Sequence, residues 1–268
     1  MQANTCANCN NSFEQATPFC AQCGQRTATH RFTIPHLVHE VVHAATHADK
    51  GLFLLIRELS LRPGQVLNDY IVVQRRKRYF NPFTFLVLMA GLLLFSTALF
   101  KPYNANDMYT AEQKASMEAM VGKDKATAVM QRTQQMNRFM EKNAKMILLA
   151  SVPLTALVFW LLFSGRGLNF AEHLVASVFL TAFLALVMAL LFTPVMGVFK
   201  SPVVYGFITA ATLLFQWLYF GWAYHVLLRQ KQPVAAWKPY GVSLLNIIIW
   251  SIITTAAGMV YVYAGVFI

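Results

Sequence analysis

Charged residues are scarce in this chain, and their scarcity limits the class of protein. Only 12% of the 268 residues are charged, whereas soluble domains carry about 25%. Hydrophobic residues make up 57% of the chain, and they collect after Phe80. This composition excludes an ordinary soluble globular protein and predicts an integral membrane protein with a polar N-terminal part.

Cysteine is absent after residue 23, which excludes a catalytic thiol in the rest of the chain. The four cysteines form two Cys-x-x-Cys pairs followed by Gly24: Cys6 with Cys9, and Cys20 with Cys23. Two such knuckles supply four thiolates for a tetrahedral zinc ion, and two disulfides are the alternative. We predict a zinc ribbon at 1–28, closed by four protein ligands and therefore structural. Reduced thiols place it in the cytosol.

Charged residues are also absent from the centres of five long apolar runs, near 83–100, 146–163, 174–193, 203–228 and 242–267. Each run has about 18 residues or more, enough for a hydrocarbon core about 30 Å thick. We therefore predict an all-α integral membrane protein. Its five-helix transmembrane domain occupies 81–268 and includes an extracytoplasmic helical loop at 101–145. A transport path would carry charged residues within the spans, so a transporter ranks last among the functions.

The distribution of basic residues predicts the orientation. No apolar signal-peptide segment precedes the cysteines, so we expect the first span to act as the targeting signal. Arg75, Arg76, Lys77 and Arg78 directly precede that span, and cytoplasmic flanks are enriched in such residues. We predict a cytosolic N-terminus and an extracytoplasmic C-terminus. The net charge of +11 then reflects this topology and contact with anionic membrane lipids; no nucleic-acid partner is expected.

A histidine-rich segment lies between the cysteines and the first span. We predict amphipathic juxtamembrane helices over 29–80, and the first of them, at 34–48, carries a polar face formed by His36, His39, Glu40, His43 and His47. Residues 39–43 match the His-Glu-x-x-His pattern of zinc hydrolases, in which the glutamate acts as general base. We name Glu40 as a candidate catalytic residue and the four histidines as candidate ligands of a second divalent metal of unknown identity. An interfacial helix that uses histidine only for its polar face is the alternative.

Two further sets of residues are predicted on the same cytosolic side. Glu172, His173 and His225 flank the third and fourth spans and are additional candidate ligands of the second metal. Guanidinium groups pair well with phosphate, so a set of cations is a candidate site for lipid headgroups: Arg57, Arg62, Arg75, Arg76, Lys77 and Arg78. Ordinary anchoring of the topology is the alternative for the cluster at 75–78.

Four stretches resemble an uncharacterised bacterial membrane family, a domain of unknown function. They are Phe19 to Gln25, His39 to Gly51, Leu61 to Gly64, and Arg76 to Phe83. Members of that family join a short zinc ribbon and a His-Glu-x-x-His helix to several spans. The resemblance covers roughly the first 90 residues and implies a protein of the bacterial cytoplasmic (inner) membrane. It implies no particular activity.

Two functions therefore stay open ahead of transport. The first is a metalloenzyme that hydrolyses a lipid or a membrane-embedded substrate at the cytosolic membrane face, through the histidine site. The second is a non-catalytic scaffold or assembly factor whose zinc ribbon recruits a protein partner.

Overall fold

The computed structural model describes residues 4–13, 17–27, 51–102, 111–199, 201–229 and 235–267. The histidine-rich segment predicted at 34–48 lies outside these residues. In the N-terminal part, two short antiparallel strands, β1 (Asn4–Thr5) and β2 (Ser12–Phe13), pair with Asn4 opposite Phe13. Residues 17–27 form turns and a bridge between Phe19 and Arg26, and from Leu52 on the described chain is helical apart from its connections.

In chain order, the helices are α1 (Leu52–Leu61), α2 (Pro63–Leu67), α3 (Pro82–Phe100), α4 (Ala111–Val121), α5 (Lys123–Lys142), α6 (Ala144–Leu162), α7 (Phe170–Val187), α8 (Thr193–Phe199), α9 (Pro202–Arg229) and α10 (Trp237–Phe267). A π-helical turn at Asn68–Val72 continues α2, and another at Met188–Phe192 joins α7 to α8. Arg76–Arg78 form a 3-10 turn just before α3.

Four segments of the described chain are long and apolar enough to cross a membrane: Arg76–Phe100, Phe170–Phe199, Val203–Arg229 and Trp237–Tyr263. They confirm the multi-pass membrane protein that composition predicts. The predicted second span also forms an apolar helix, but its apolar part, Met146–Leu162, is shorter. At 1.5 Å per residue it covers about 25 Å, so the fifth span stays a prediction.

The segment from α7 to α8 forms the centre of the bundle. In the most apolar stretch of this segment, 67% is buried inside the protein. The corresponding values are 17% for α9 and 22% for α10, so the outer faces of these two helices are available to lipid. Ser96 of α3 donates a hydrogen bond to the Ala189 carbonyl at 2.7 Å, and Phe100 packs closely against Gly197. Later residues of α3 thus meet later residues of α7 and α8, which means that these helices run in the same direction.

The juxtamembrane helices α1 and α2 belong to the same core as the spans. The Tyr70 ring meets the Phe179 ring of α7 at 5.0 Å, and the Tyr219 hydroxyl of α9 donates to the Leu59 carbonyl at 2.9 Å. Leu55 and Leu59 are fully buried. The sequence predicts these helices as amphipathic, and the structure shows that their apolar face packs on protein.

Pro63 and Gly64, at the junction of α1 and α2, have separate roles. The helical chain is interrupted at Arg62, and Pro63 begins α2, where the missing N–H of proline is no loss. Gly64 lies within α2 and permits close packing on α9. A Cβ atom at Gly64 would lie 2.4 Å from the Val226 Cβ and 2.6 Å from the Ala223 carbonyl oxygen. The glycine is therefore needed for contact between helices rather than for the turn.

Candidate metal centre

The four cysteine side chains come together between the two knuckles of the ribbon. Their Sγ atoms all lie within 4.8 Å of one another. The pairs Cys6–Cys23 and Cys9–Cys20 are each 3.6 Å apart, and all four cysteines are free thiols rather than disulfides. Zinc–sulfur bonds of about 2.3 Å in a tetrahedron place sulfur atoms about 3.8 Å apart. The sulfur geometry therefore fits a metal ion such as zinc.

Both knuckles use the same backbone turn. Asn10 N–H donates to the Cys6 carbonyl at 2.9 Å, and Gly24 N–H donates to the Cys20 carbonyl at 2.8 Å. The residue that closes each turn has a positive φ, 60° at Asn10 and 71° at Gly24. Glycine adopts this conformation freely, and asparagine tolerates it better than most residues. Gly24 after the second pair is typical of such a turn. Asn10 is not typical, and the only sequence sign of its role is that it follows Cys9 directly, as Gly24 follows Cys23.

The backbone favours the metal-binding thiolate form of Cys20 and Cys23. At Cys9 the Asn11 N–H acts in the same direction, but burial and the neighbouring thiols outweigh it and raise the pKa to about 12. The Cys23 N–H lowers the pKa of Cys20 to about 6, although burial acts in the opposite direction. A thiolate at neutral pH is the form that binds metal. Because four sulfur ligands complete a tetrahedron, a metal here would hold the ribbon together and would leave no position for substrate.

A buried glutamine joins this metal centre to the membrane domain. Gln25 is only 3% exposed, and its backbone carbonyl accepts a hydrogen bond from Cys20 N–H at 2.8 Å. Its side-chain Nε2 donates to the Gln74 carbonyl at 3.0 Å, and Lys77 N–H donates to its Oε1 at 3.3 Å. The side chain of Gln25 thus forms hydrogen bonds with two backbone groups of the loop that precedes the first span.

The docking loop, residues 73–78, is shaped to receive the ribbon. Gln74 has a positive φ of 65°, a conformation that few side-chain-bearing residues adopt. Next to it, Arg75 Nε donates to the Ala7 carbonyl in the first knuckle at 3.1 Å. Both knuckles therefore contact the loop. The sequence gives no sign that Gln25 is a docking residue, because a polar residue directly after a metal knuckle is expected to lie at the surface.

Replacing Gln25 with alanine is expected to loosen the ribbon from the loop while zinc stays bound. The change leaves two backbone groups without partners, at a cost of about 1–3 kcal/mol. Hydrogen exchange at the Lys77 amide should therefore accelerate by roughly 10- to 100-fold. Gln22→Ala, an exposed glutamine in the second knuckle, is the matched control. Equal exchange at Lys77 in both variants would show that Gln25 does not hold the ribbon in place.

The predicted second metal site is only partly within the described residues. His36, His39, Glu40, His43 and His47 lie outside them. Among the residues that the structure describes, the four cysteines are the only group of three or more His, Cys, Asp or Glu side chains close enough to share an ion. The second metal and the catalytic role of Glu40 stay predictions.

The remaining predicted ligands have separate surroundings. Glu172 and Asn169 form a reciprocal capping box at the start of α7. His173 is fully buried, and its Nδ1 lies 3.3 Å from the hydroxyl of Tyr224. The ring of His225 faces Tyr240 of α10, at 6.5 Å between centroids. The two histidines therefore face different helices.

Most of the predicted headgroup cations have partners within the protein. Arg62 pairs with buried Glu58, with Nη2 2.8 Å from Oε1, and this hydrogen bond lowers the pKa of Glu58. Arg78 lies 3.8 Å from buried Asp69, which also accepts a hydrogen bond from the Tyr79 hydroxyl at 3.1 Å. Within the cluster before the first span, Arg78 therefore has a structural role, because it joins the docking loop to the π-helical turn after α2.

Residues 49–95 match a sequence family described as "Protein of unknown function (DUF3667)". The match spans the hairpin of α1 and α2, the docking loop and most of α3. It fits the resemblance to an uncharacterised family, although the cysteines and residues 39–48 lie outside it. No curated protein and no solved structure matches the chain.

Proposed function

We propose that this protein is a membrane scaffold whose zinc ribbon is held on the cytosolic ends of its spans and recruits a soluble protein partner. The observation that carries the proposal is the buried Gln25 side chain, which ties a closed metal knuckle to the loop before the first span. A ribbon held in this way presents its outer face in a constant orientation relative to the membrane. The four-sulfur site supports a structural rather than a catalytic metal.

The proposed topology has five spans, with α6 as the second. Support comes from the shared direction of α3 and α7, because a chain that leaves α3 at Phe100 must return across the membrane before it enters α7. The only apolar helix between them in the described chain is α6. The cations at 75–78 favour a cytosolic position for the ribbon and an extracytoplasmic C-terminus. The resemblance to a bacterial family favours the bacterial cytoplasmic membrane.

The outer face of the ribbon has the chemistry of a small recognition surface. Phe19 is 52% exposed, and the Arg26 guanidinium lies over its ring at 5.8 Å from the centroid. Ala21 and Gln22 are exposed beside them. Aromatic and arginine side chains are enriched where proteins bind one another. An acidic partner segment with an apolar side chain would complement this surface.

A photoreactive amino acid at position 19 tests the proposal in living cells. We expect a discrete protein adduct from this position and none from Gln65, an exposed position on α2. Arg26→Glu should reduce the adduct several-fold because it reverses the charge beside Phe19. An adduct that persists when all four cysteines are replaced by serine would show that the folded ribbon is not the recognition element. Absence of any adduct at position 19 would remove the support for a partner at this face.

A further inference from the structure

The outward face of α1 carries large side chains that the described chain leaves uncovered. Phe53 is 83% exposed and Leu61 is 63% exposed, and Arg57 between them is also exposed. A spacing of four residues places all three on one side of the helix. The opposite side packs into the protein core through Leu55 and Leu59. The helix therefore has two apolar faces, and among the residues that the structure describes only the inner one is covered by protein.

The contacts of α1 place it beside the membrane spans. Gly51, immediately before α1, lies so close to the chain before the first span that an added Cβ would be 3.1 Å from the Phe80 nitrogen. Farther along α1, the Leu59 carbonyl meets the Tyr219 hydroxyl. Tyr219 lies ten residues before Arg229, the last residue of α9, which is about 15 Å along the helix. The helix thus packs beside the spans rather than beyond their ends.

Among the described residues, the charges around α1 are predominantly positive. Glu58 and Asp69 are buried and paired with Arg62 and Arg78 respectively. Arg57 lies near enough to Glu58 to contribute to lowering its pKa, after the larger effects of Arg62 and Arg78. Three guanidinium groups therefore surround two carboxylates. The side chain of Arg62 is still 57% exposed, so it faces the exterior while it holds Glu58.

We propose that the outward face of α1 is a binding site for an anionic phospholipid in the leaflet on the ribbon side of the membrane. Phe53 and Leu61 lie against the acyl chains, and Arg57 contacts the phosphate, with the exposed edge of Arg62 beside it. Apolar residues alternating with arginine on one helical face are typical of interfacial helices, whose long cationic side chains reach the headgroups. The site is distinct from the ribbon and uses two of the six predicted headgroup cations, Arg57 and Arg62.

Lipid is the occupant that the surroundings favour. The helix packs against α9 and the chain just before α3, and the spans expose apolar side chains on their outer sides, so we infer that acyl chains also reach the outer face of α1. A protein partner would have to displace those chains and also match a face with arginine at its centre. The positive balance of charge selects an anionic headgroup over a zwitterionic one.

Photocrosslinking in lipid nanodiscs tests this site with the full chain. Benzoylphenylalanine replaces Phe53 in one variant and exposed Gln22 of the ribbon in another, and mass spectrometry identifies the adducts. We expect phospholipid adducts at position 53 only. In mixtures of phosphatidylglycerol and phosphatidylcholine, phosphatidylglycerol should be enriched about fivefold in the adducts over its share of the bilayer, as expected for one arginine near an anionic headgroup. Arg57→Gln should abolish the enrichment, while Arg26→Gln, which removes the same charge from the ribbon, should preserve it.

Two results would overturn the proposal. Adducts at position 53 with a second copy of the chain or another protein, in place of lipid, would make this face a protein interface. Lipid adducts that are equally frequent for both headgroups, and unchanged by Arg57→Gln, would show that the site does not select anionic lipid.

Zinc content and thermal stability equal to those of the parent show that each variant is folded. If the Phe53 variant does not fold, the photoreactive group is placed at Leu61 instead, on the same face of α1.

Discussion

Removal of zinc is expected to unfold the ribbon and leave the helical bundle folded. The ribbon has strands of only two residues each, and so small a segment buries too little apolar surface to fold by itself. Structural zinc supplies binding energy on the order of 10–16 kcal/mol in comparable peptides. Chelation, or replacement of all four cysteines by serine, should therefore abolish amide protection at Cys6 and Cys20. Helical circular dichroism should stay nearly unchanged.

Metal analysis of the same proteins separates the scaffold from the hydrolase. The parent should contain about one zinc per chain, and the variant without cysteines should contain none. Metal that remains in this variant and is lost on His39→Ala and His43→Ala would support the second site and the hydrolase. Thiols that react freely with a thiol reagent in zinc-loaded protein would contradict the four-cysteine site itself. Faster exchange at the Lys77 amide after zinc removal would link the metal to the docking loop.

Replacement of Gly64 by valine is expected to separate the juxtamembrane hairpin from α9. The new Cβ would overlap Val226, and it would also lie 2.6 Å from the backbone oxygen of Ala223, which side-chain rotation cannot relieve. Overpacking of this kind costs about 1–3 kcal/mol and more where backbone must move. The midpoint of unfolding in denaturing detergent should fall sharply, and exchange at the amides of α1 should increase.

Gly206 provides a matched control on α9. A Cβ atom at Gly206 would meet nothing within 4 Å, so Gly206→Ala should be neutral or slightly stabilising, since alanine favours helix over glycine. Gly64→Ala is the milder test of the hairpin, because it adds only the Cβ that the structure excludes. If Gly64→Ala were as stable as Gly206→Ala, α2 would not be packed against α9 at this distance.

Local and periodic features are the part of this protein that its sequence predicts well. The two Cys-x-x-Cys pairs predict the meeting of four sulfur atoms, because each pair lies within one turn of the backbone and zinc geometry limits how two pairs combine. Long apolar runs predict helices because the membrane core leaves few other ways to satisfy backbone hydrogen bonds. The shorter apolar stretch of α6 shows the limit of this reasoning, since length alone does not establish a span.

The sequence by itself therefore determined a multi-pass helical protein with a cluster of four cysteines before its first span that could hold a metal ion. The tertiary structure decided which residues connect these parts. Gln25 meets Gln74 across 49 positions, and Leu59 meets Tyr219 across 160. It also decided that Arg62 and Arg78 pair with buried carboxylates, and that Phe53, Arg57 and Leu61 stay exposed on the outward face of α1. Such pairings depend on how distant segments pack together, and spacing along the chain carries no information about them.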